Sequence, residues 1–295
     1  MGAVYLVREG GARYALKVMH ETLISDVKWA ERFAQEAAVA RTIASAHVVA
    51  VHGAGVDRET GSHWILMDFV PGVDLAAYLE AHEPLPRGHA EAILDQLLDA
   101  VAAAHAVGVV HRDLNPENIL VAAGDAGKPP SIRLLDFGVA KVLGVEASSR
   151  PTAPGLGTPL WTAPEQGEER QKIRPNADVW ALGLLAFRLL AGRSYWRSVN
   201  DPKASAFDVA MELRRAPLDP PSVRVPQVGG RALPAGFDAW FARCVVRSPE
   251  ARFADAAEAR AGLQAISRPA WRRAAVITAA VVVAGLVAAA LLART

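Results

Sequence analysis

His111-Arg112-Asp113-Leu114-Asn115-Pro116-Glu117-Asn118, followed eighteen residues beyond Asn118 by Asp136-Phe137-Gly138, decides how this chain is read. The two stretches present a carboxylate at Asp113, a carboxamide at Asn118 and a second carboxylate at Asp136. Leu114, Pro116, Ile119 and Leu120 lie between them, and Leu134-Leu135 leads into Asp136. Hard oxygen donors between apolar walls suit a divalent cation shared with a phosphorylated ligand, because Mg²⁺ takes few protein oxygens and fills its shell with phosphate and water.

Upstream, residues 3–19 read as a strand, a Gly10-Gly11 turn and a second strand carrying Lys17 between Leu16 and Val18. Residues 26–44 place Trp29, Phe33, Ala37 and Ala40 at helical spacing, with Glu36 on the same stretch. Two further strands are expected at 48–56 and 63–69, split by Asp57-Arg58-Glu59-Thr60-Gly61. From Asp74 onward helices dominate: 75–82, then 89–106 with Ile93, Leu94, Leu97, Leu98 and Val101 on one face. Short strands at 119–122 and 132–135 flank a polar loop, and 139–160 lacks periodicity. Asp178 opens an almost wholly apolar helix that should be buried all round.

With these residues in view, the chain resembles the protein kinase family, and in particular bacterial Hanks-type serine/threonine kinases. The His111–Asn118 stretch resembles the HRDLxxxN catalytic loop and Asp136-Phe137-Gly138 the metal-binding motif. Ala15-Leu16-Lys17-Val18 resembles the strand whose lysine holds nucleotide phosphates, and Gly157 to Glu165 the segment that closes the peptide groove. The resemblance implies an α+β, two-lobed fold: small lobe 1–70, with its first strand missing, and large lobe 71–265. It implies ATP with Mg²⁺ or Mn²⁺, protein hydroxyls as acceptors, Asp113 as proton acceptor and Asn118 and Asp136 as metal ligands. Lys17, aimed by Glu36, would hold the phosphates. Gly2, Val4, Ala15, Met67, Asp68, Val70 and Leu120 would surround the nucleotide. Asp178 would brace the catalytic loop, and Arg252 would pair with Glu165. Arg112 suggests regulation by phosphorylation at Ser148, Ser149 or Thr152.

Two departures bear on rate. Asn115 stands where serine/threonine kinases usually carry a phosphate-contacting lysine. Met1-Gly2-Ala3-Val4 resembles only the end of the glycine-rich loop, so the chain is expected to begin inside it. A pseudokinase or nucleotide-binding regulatory module is therefore the alternative expectation.

Composition sets the outer limits. The 295 residues carry 32 Lys and Arg against 31 Asp and Glu, which gives no basic surface for nucleic acid. The single cysteine, Cys244, excludes an internal disulfide and reads as a buried small hydrophobe. Residues 274–293 hold no charge and would span about 30 Å as a helix, the thickness of a bilayer core. Arg268, Arg272 and Arg273 in and beside the basic linker 266–273 place the kinase side in the cytoplasm, beneath the plasma or inner membrane. Residues 1–20 lack the apolar core of a signal peptide. Small residues at Ala284, Gly285, Ala288 and Ala289 would allow a homodimer.

Overall fold

The computed structural model describes residues 3–18, 39–122, 128–136, 160–167 and 173–267. Gly2, Glu36, Phe137, Gly138, the stretch 139–159 with Ser148, Ser149 and Thr152, and residues 268–295 lie outside them.

The small lobe is an antiparallel sheet of β1 (Ala3–Glu9), β2 (Ala12–Val18), β3 (Val51–Val56) and β4 (His63–Asp68), in the order β1-β2-β4-β3. Gly10 and Gly11 both take positive φ, 54° and 85°, so the two-residue turn twists with the strands it joins. The resulting register sets Val4 opposite Lys17, Lys17 opposite Ile65 and Ala15 opposite Met67. Ile65, Met67 and Val49 form the buried cluster of this lobe, with Ala15, Val70 and Leu135 packed against it.

A second sheet, β5 (Gly72–Asp74), β6 (Ile119–Ala122) and β7 (Ser131–Leu134), begins the large lobe. β5 is not anticipated by propensity, since Gly and Asp are poor strand formers; pairing with β6 holds it extended. Asp74 ends β5 and caps α1 (Leu75–His82) by accepting the Ala77 N–H at 2.8 Å. The long α2 (Arg87–Ala106) buries Ile93, Leu94, Leu97, Leu98 and Val101. Its Gln96 carboxamide donates to Pro130 O and accepts from Ile132 N, which clamps β7 to the helix.

α3 (Asn176–Ala191) is buried almost throughout, as its apolar composition requires, and ends on Gly192 in the left-handed region. A side chain at Gly183 would put its Cβ 2.6 Å from both Cys244 Cβ and Val245 Cγ2, so only glycine lets these segments touch. α4 (Arg197–Asn200), α5 (Ala206–Arg215), α6 (Pro221–Val228), α7 (Phe237–Ala242) and α8 (Ala256–Ser267) complete the lobe. α8 packs on α2 and runs two residues past the boundary expected at 265. Cys244 is fully buried, and desolvation pushes its thiol well above the usual range. Among the described residues no helix is long and apolar enough to cross a membrane; 274–293 is not among them.

The lobes are tied by backbone as well as by side chains. Val49 N–H donates to Leu134 O at 3.0 Å and Leu134 N–H to His47 O at 2.8 Å. β7, which leads to Asp136, is thereby fastened to the segment that leads into β3.

Candidate active site

The loop between α2 and β6 is shaped by its own side chains. Asn115 is 5% exposed, and its Oδ1 accepts the N–H groups of Glu117 and Asn118 at 2.9 and 3.1 Å. It thus caps the single turn Pro116–Asn118, while its Nδ2 donates to Asp113 O at 3.2 Å. Asn115 works inside the loop, with both ends of its amide engaged by backbone. Asn118 Nδ2 donates to Asp113 O and Oδ2 at 2.8 and 2.9 Å. A carboxamide held by its nitrogen turns its oxygen the other way, so Asn118 Oδ1 faces away from Asp113.

His111 connects this loop to the strand before Asp136. Its Nε2 donates to Leu135 O at 2.7 Å and its Nδ1 accepts the Asp113 N–H at 3.3 Å. One nitrogen donating and one accepting define a neutral ring. Burial pushes the His111 pKa below the usual imidazole range, with Asp178 opposing the shift. Leu135 N–H donates to Asn118 O at 2.8 Å, so Asp136 lies one residue beyond a direct bond to Asn118.

Lys17 Nζ meets Asp136 Oδ2 at 2.7 Å, both side chains partly buried. The sequence points Lys17 at Glu36, which lies outside the described residues; the described partner is Asp136. Ala15, Met67 and Val70 pack together with Leu135, the residue before Asp136. Asp68 N–H is taken by Ala50 O, and the Asp68 carboxylate accepts from His52 Nε2 at 2.6 Å. Leu120 sits partly buried on β6, opposite Asp74 and Arg133, and Val4 is exposed on β1 above Lys17.

The floor of the site comes from α3. Asp178, 2% exposed, accepts the His111 and Arg112 N–H groups at 2.7 and 2.8 Å, and His105 Nε2 at 2.9 Å. His105 Nδ1 in turn accepts the Ala256 N–H. On the far side, Arg252 grips Glu165 in two parallel bonds of 2.6 and 2.8 Å with both side chains buried, which is the pair expected from the sequence. Trp196 Nε1 fixes Leu160 O at 3.0 Å. A cavity of about 190 Å³ opens beside Asn115, Pro116 and Glu117 and is closed by Leu79, Leu160 and Trp161. Gln166, which carries no motif signal, donates to Arg112 O and accepts from Ala163 N.

The arrangement sets the Asp113 carboxylate against the Asn118 amide nitrogen, with Asn118 Oδ1 turned away from it and the Asp136 carboxylate one residue beyond the Leu135–Asn118 bond. Asn118 Oδ1 and the Asp136 carboxylate are hard donors of the kind a divalent cation accepts, and an ammonium stands next to them for phosphate. The donor chemistry therefore fits a cation bound together with a nucleotide.

The protein kinase domain family matches residues 1–256. Serine/threonine-protein kinase Pkn1 of Myxococcus xanthus is 35% identical over 266 residues, covering 90% of this chain and 36% of that protein. PknE of Mycobacterium tuberculosis is 34% identical over 239 residues, 81% of this chain and 39% of its own length. The chain thus spans well under half of either relative. The crystal structure of the Mycobacterium tuberculosis PknI kinase domain superposes with a TM-score of 0.63 at 30% identity, covering 90% of both chains. By fold, by catalytic-loop geometry and by these likenesses, the chain belongs to the protein kinase domain family and is similar to its bacterial serine/threonine members.

Proposed function

We propose that this chain is an ATP-dependent serine/threonine protein kinase acting on protein hydroxyls. The observation that carries the reading is the position of Asn118. It is bonded to Asp113 through its side chain and to Leu135, the residue before Asp136, through its backbone. Asp113 orients the acceptor hydroxyl and takes its proton as the phosphoryl group arrives. Asn118 Oδ1 and Asp136 hold the cation, Mg²⁺ or Mn²⁺ in this reading, and Lys17 holds the phosphates. Glu36 aims Lys17. Ala15, Met67 and Leu120 enclose the base, the Asp68 and Val70 backbone reads its edge, and Gly2 and Val4 cover the phosphates. The cation–nucleotide complex supplies charge neutralisation at the transferring group. The chain's own contribution is placement, which is most of what phosphoryl transfer asks of a protein.

Residues 274–293 tether this kinase to the plasma or inner membrane with the catalytic domain in the cytoplasm, a reading supported by their uncharged length and by the preceding arginines. Packing of their small residues against a second copy would make the kinase a dimer. Recovery of the full-length chain in the soluble fraction after cell lysis would overturn the tether.

For the activity, the protein incubated with Mg-ATP and a generic protein acceptor transfers phosphate to Ser or Thr, and Asp113→Asn lowers the rate by about 10²–10⁴. Equal incorporation by the two proteins overturns the reading. One observation favours a second one: the Asn115 side chain is spent on capping, so no ammonium stands there for the transferred phosphate. A nucleotide-binding module would be stabilised thermally by Mg-ATP while transferring nothing.

A further inference from the structure

Gln166 lies in the short turn Pro164–Gly167, at the end of the segment that forms the groove wall. Its carboxamide is used at both ends. Oε1 accepts the Ala163 N–H at 3.0 Å, three residues back, and Nε2 donates to the Arg112 carbonyl at 2.7 Å, fifty-four residues back. The first bond, with Gln166 N–H returning to Ala163 O at 3.0 Å, would suffice to close the turn. The second does something else.

Arg112 holds φ at 65°, a left-handed conformation that a residue with a Cβ avoids unless its surroundings impose it. Its N–H is taken by Asp178 Oδ1 at 2.8 Å and its carbonyl by Gln166 Nε2. The peptide groups on either side of the Arg112 Cα are thus pinned by side chains from two different elements. The next residue is Asp113. Because Gln166 also holds Ala163, one rigid amide plane spans the acceptor-side wall and the loop that carries Asp113.

We propose that Gln166 is a positioning residue for phosphoryl transfer, fixing Asp113 in register with the acceptor groove through the Arg112 carbonyl. This rests on the kinase reading above. Neither bond touches Lys17 or Asp136, so the effect falls on turnover and leaves nucleotide affinity alone.

The test compares wild type, Gln166→Leu and Gln166→Glu. Gln166→Leu removes both bonds; kcat falls up to about 10²-fold, as for a misplaced catalytic group, while KM for ATP stays within about twofold. Gln166→Glu keeps the acceptor for Ala163 but, ionised, cannot donate to Arg112. Its activity relative to wild type is low at neutral pH and above and recovers only as the pH falls toward the ordinary carboxyl range, about 4–5, where the side chain regains a proton to donate. A residue that only supported the turn would lower Tm in Gln166→Leu, spare Gln166→Glu, and leave kcat per folded molecule and the pH profile unmoved in both. Deuterium uptake needs no activity: Gln166→Leu raises it in peptide 111–118 and not in 176–191. Unchanged kcat together with unchanged uptake overturns the proposal. If wild type transfers no phosphate, the kinase reading falls by itself, and uptake alone decides whether Gln166 positions the loop. If Gln166→Leu does not fold, Gln166→Glu, of nearly the same volume, carries both measurements.

Discussion

In the large lobe Phe187, Tyr195 and Phe241 pack ring against ring with centroids 5.0–6.1 Å apart, around a helix buried on nearly every side. Among the described residues of the small lobe the buried cluster is Val49, Ile65 and Met67. The two lobes also carry different chemistry. Asp113, Asn118 and the Asp178 brace stand on the large core, whereas Lys17 stands beside the smaller cluster among the described residues. Local opening costs least where few apolar contacts are buried. The groups argued to handle the acceptor hydroxyl are therefore backed by the large buried core, and among the described residues the lysine argued to handle phosphate has the smaller cluster behind it. The 2.7 Å contact between Lys17 and Asp136 is where the two meet.

Three experiments press on that contrast. Arg252→Ala should have the largest effect, about 3–5 kcal/mol in urea unfolding, because it strands the buried Glu165 carboxylate without its partner. A loss under 1 kcal/mol would mean that the large lobe is not secured at this point. Ile65→Val, opposite Lys17 in the sheet, should cost about 0.5–1.5 kcal/mol. The damage should be local, with faster hydrogen exchange at 12–18 and 63–68 and none at 176–191. Uniform acceleration across both lobes would dissolve the distinction drawn here.

Acidification should have the smallest effect and should reach both lobes. Burial depresses the pKa of His111 in the large lobe and of His63 in the small one below the usual imidazole value. The unfolded chain then takes up protons first as pH falls, so the stability these rings contribute is complete above about pH 6.5 and is lost below it. Tm measured at about pH 7.5 and about pH 5.5 should drop on acidification, and His63→Gln and His111→Gln should each flatten the slope. A Tm that rises on acidification contradicts the sign.

The large lobe was the more legible in sequence because its signals are chemical and local. An Asp, an Asn five residues on and a later Asp announce a loop, and Glu165 and Arg252 stand in patterns that imply each other. Other features depend on where an amide points. Asn115 reads as a substitute for a phosphate-contacting lysine until its oxygen is found capping the turn behind it. Gln166 is an uncharged residue in no repeating pattern, and its partner lies fifty-four positions away. β5 is extended only because β6 is beside it. Hydrophobic periodicity carries none of these three.

The bond from Ala256 N–H to His105 Nδ1 has a consequence in time. It spans 151 positions of sequence, and through Asp178 it reaches the backbone of His111 and Arg112. Contacts so distant along the chain close late. A ribosome that has made the whole catalytic loop, both sheets and α3 has still not made the amide that orients His105. The bond that orients His105 behind Asp178 can form only once α8 has begun to emerge, near the end of the domain.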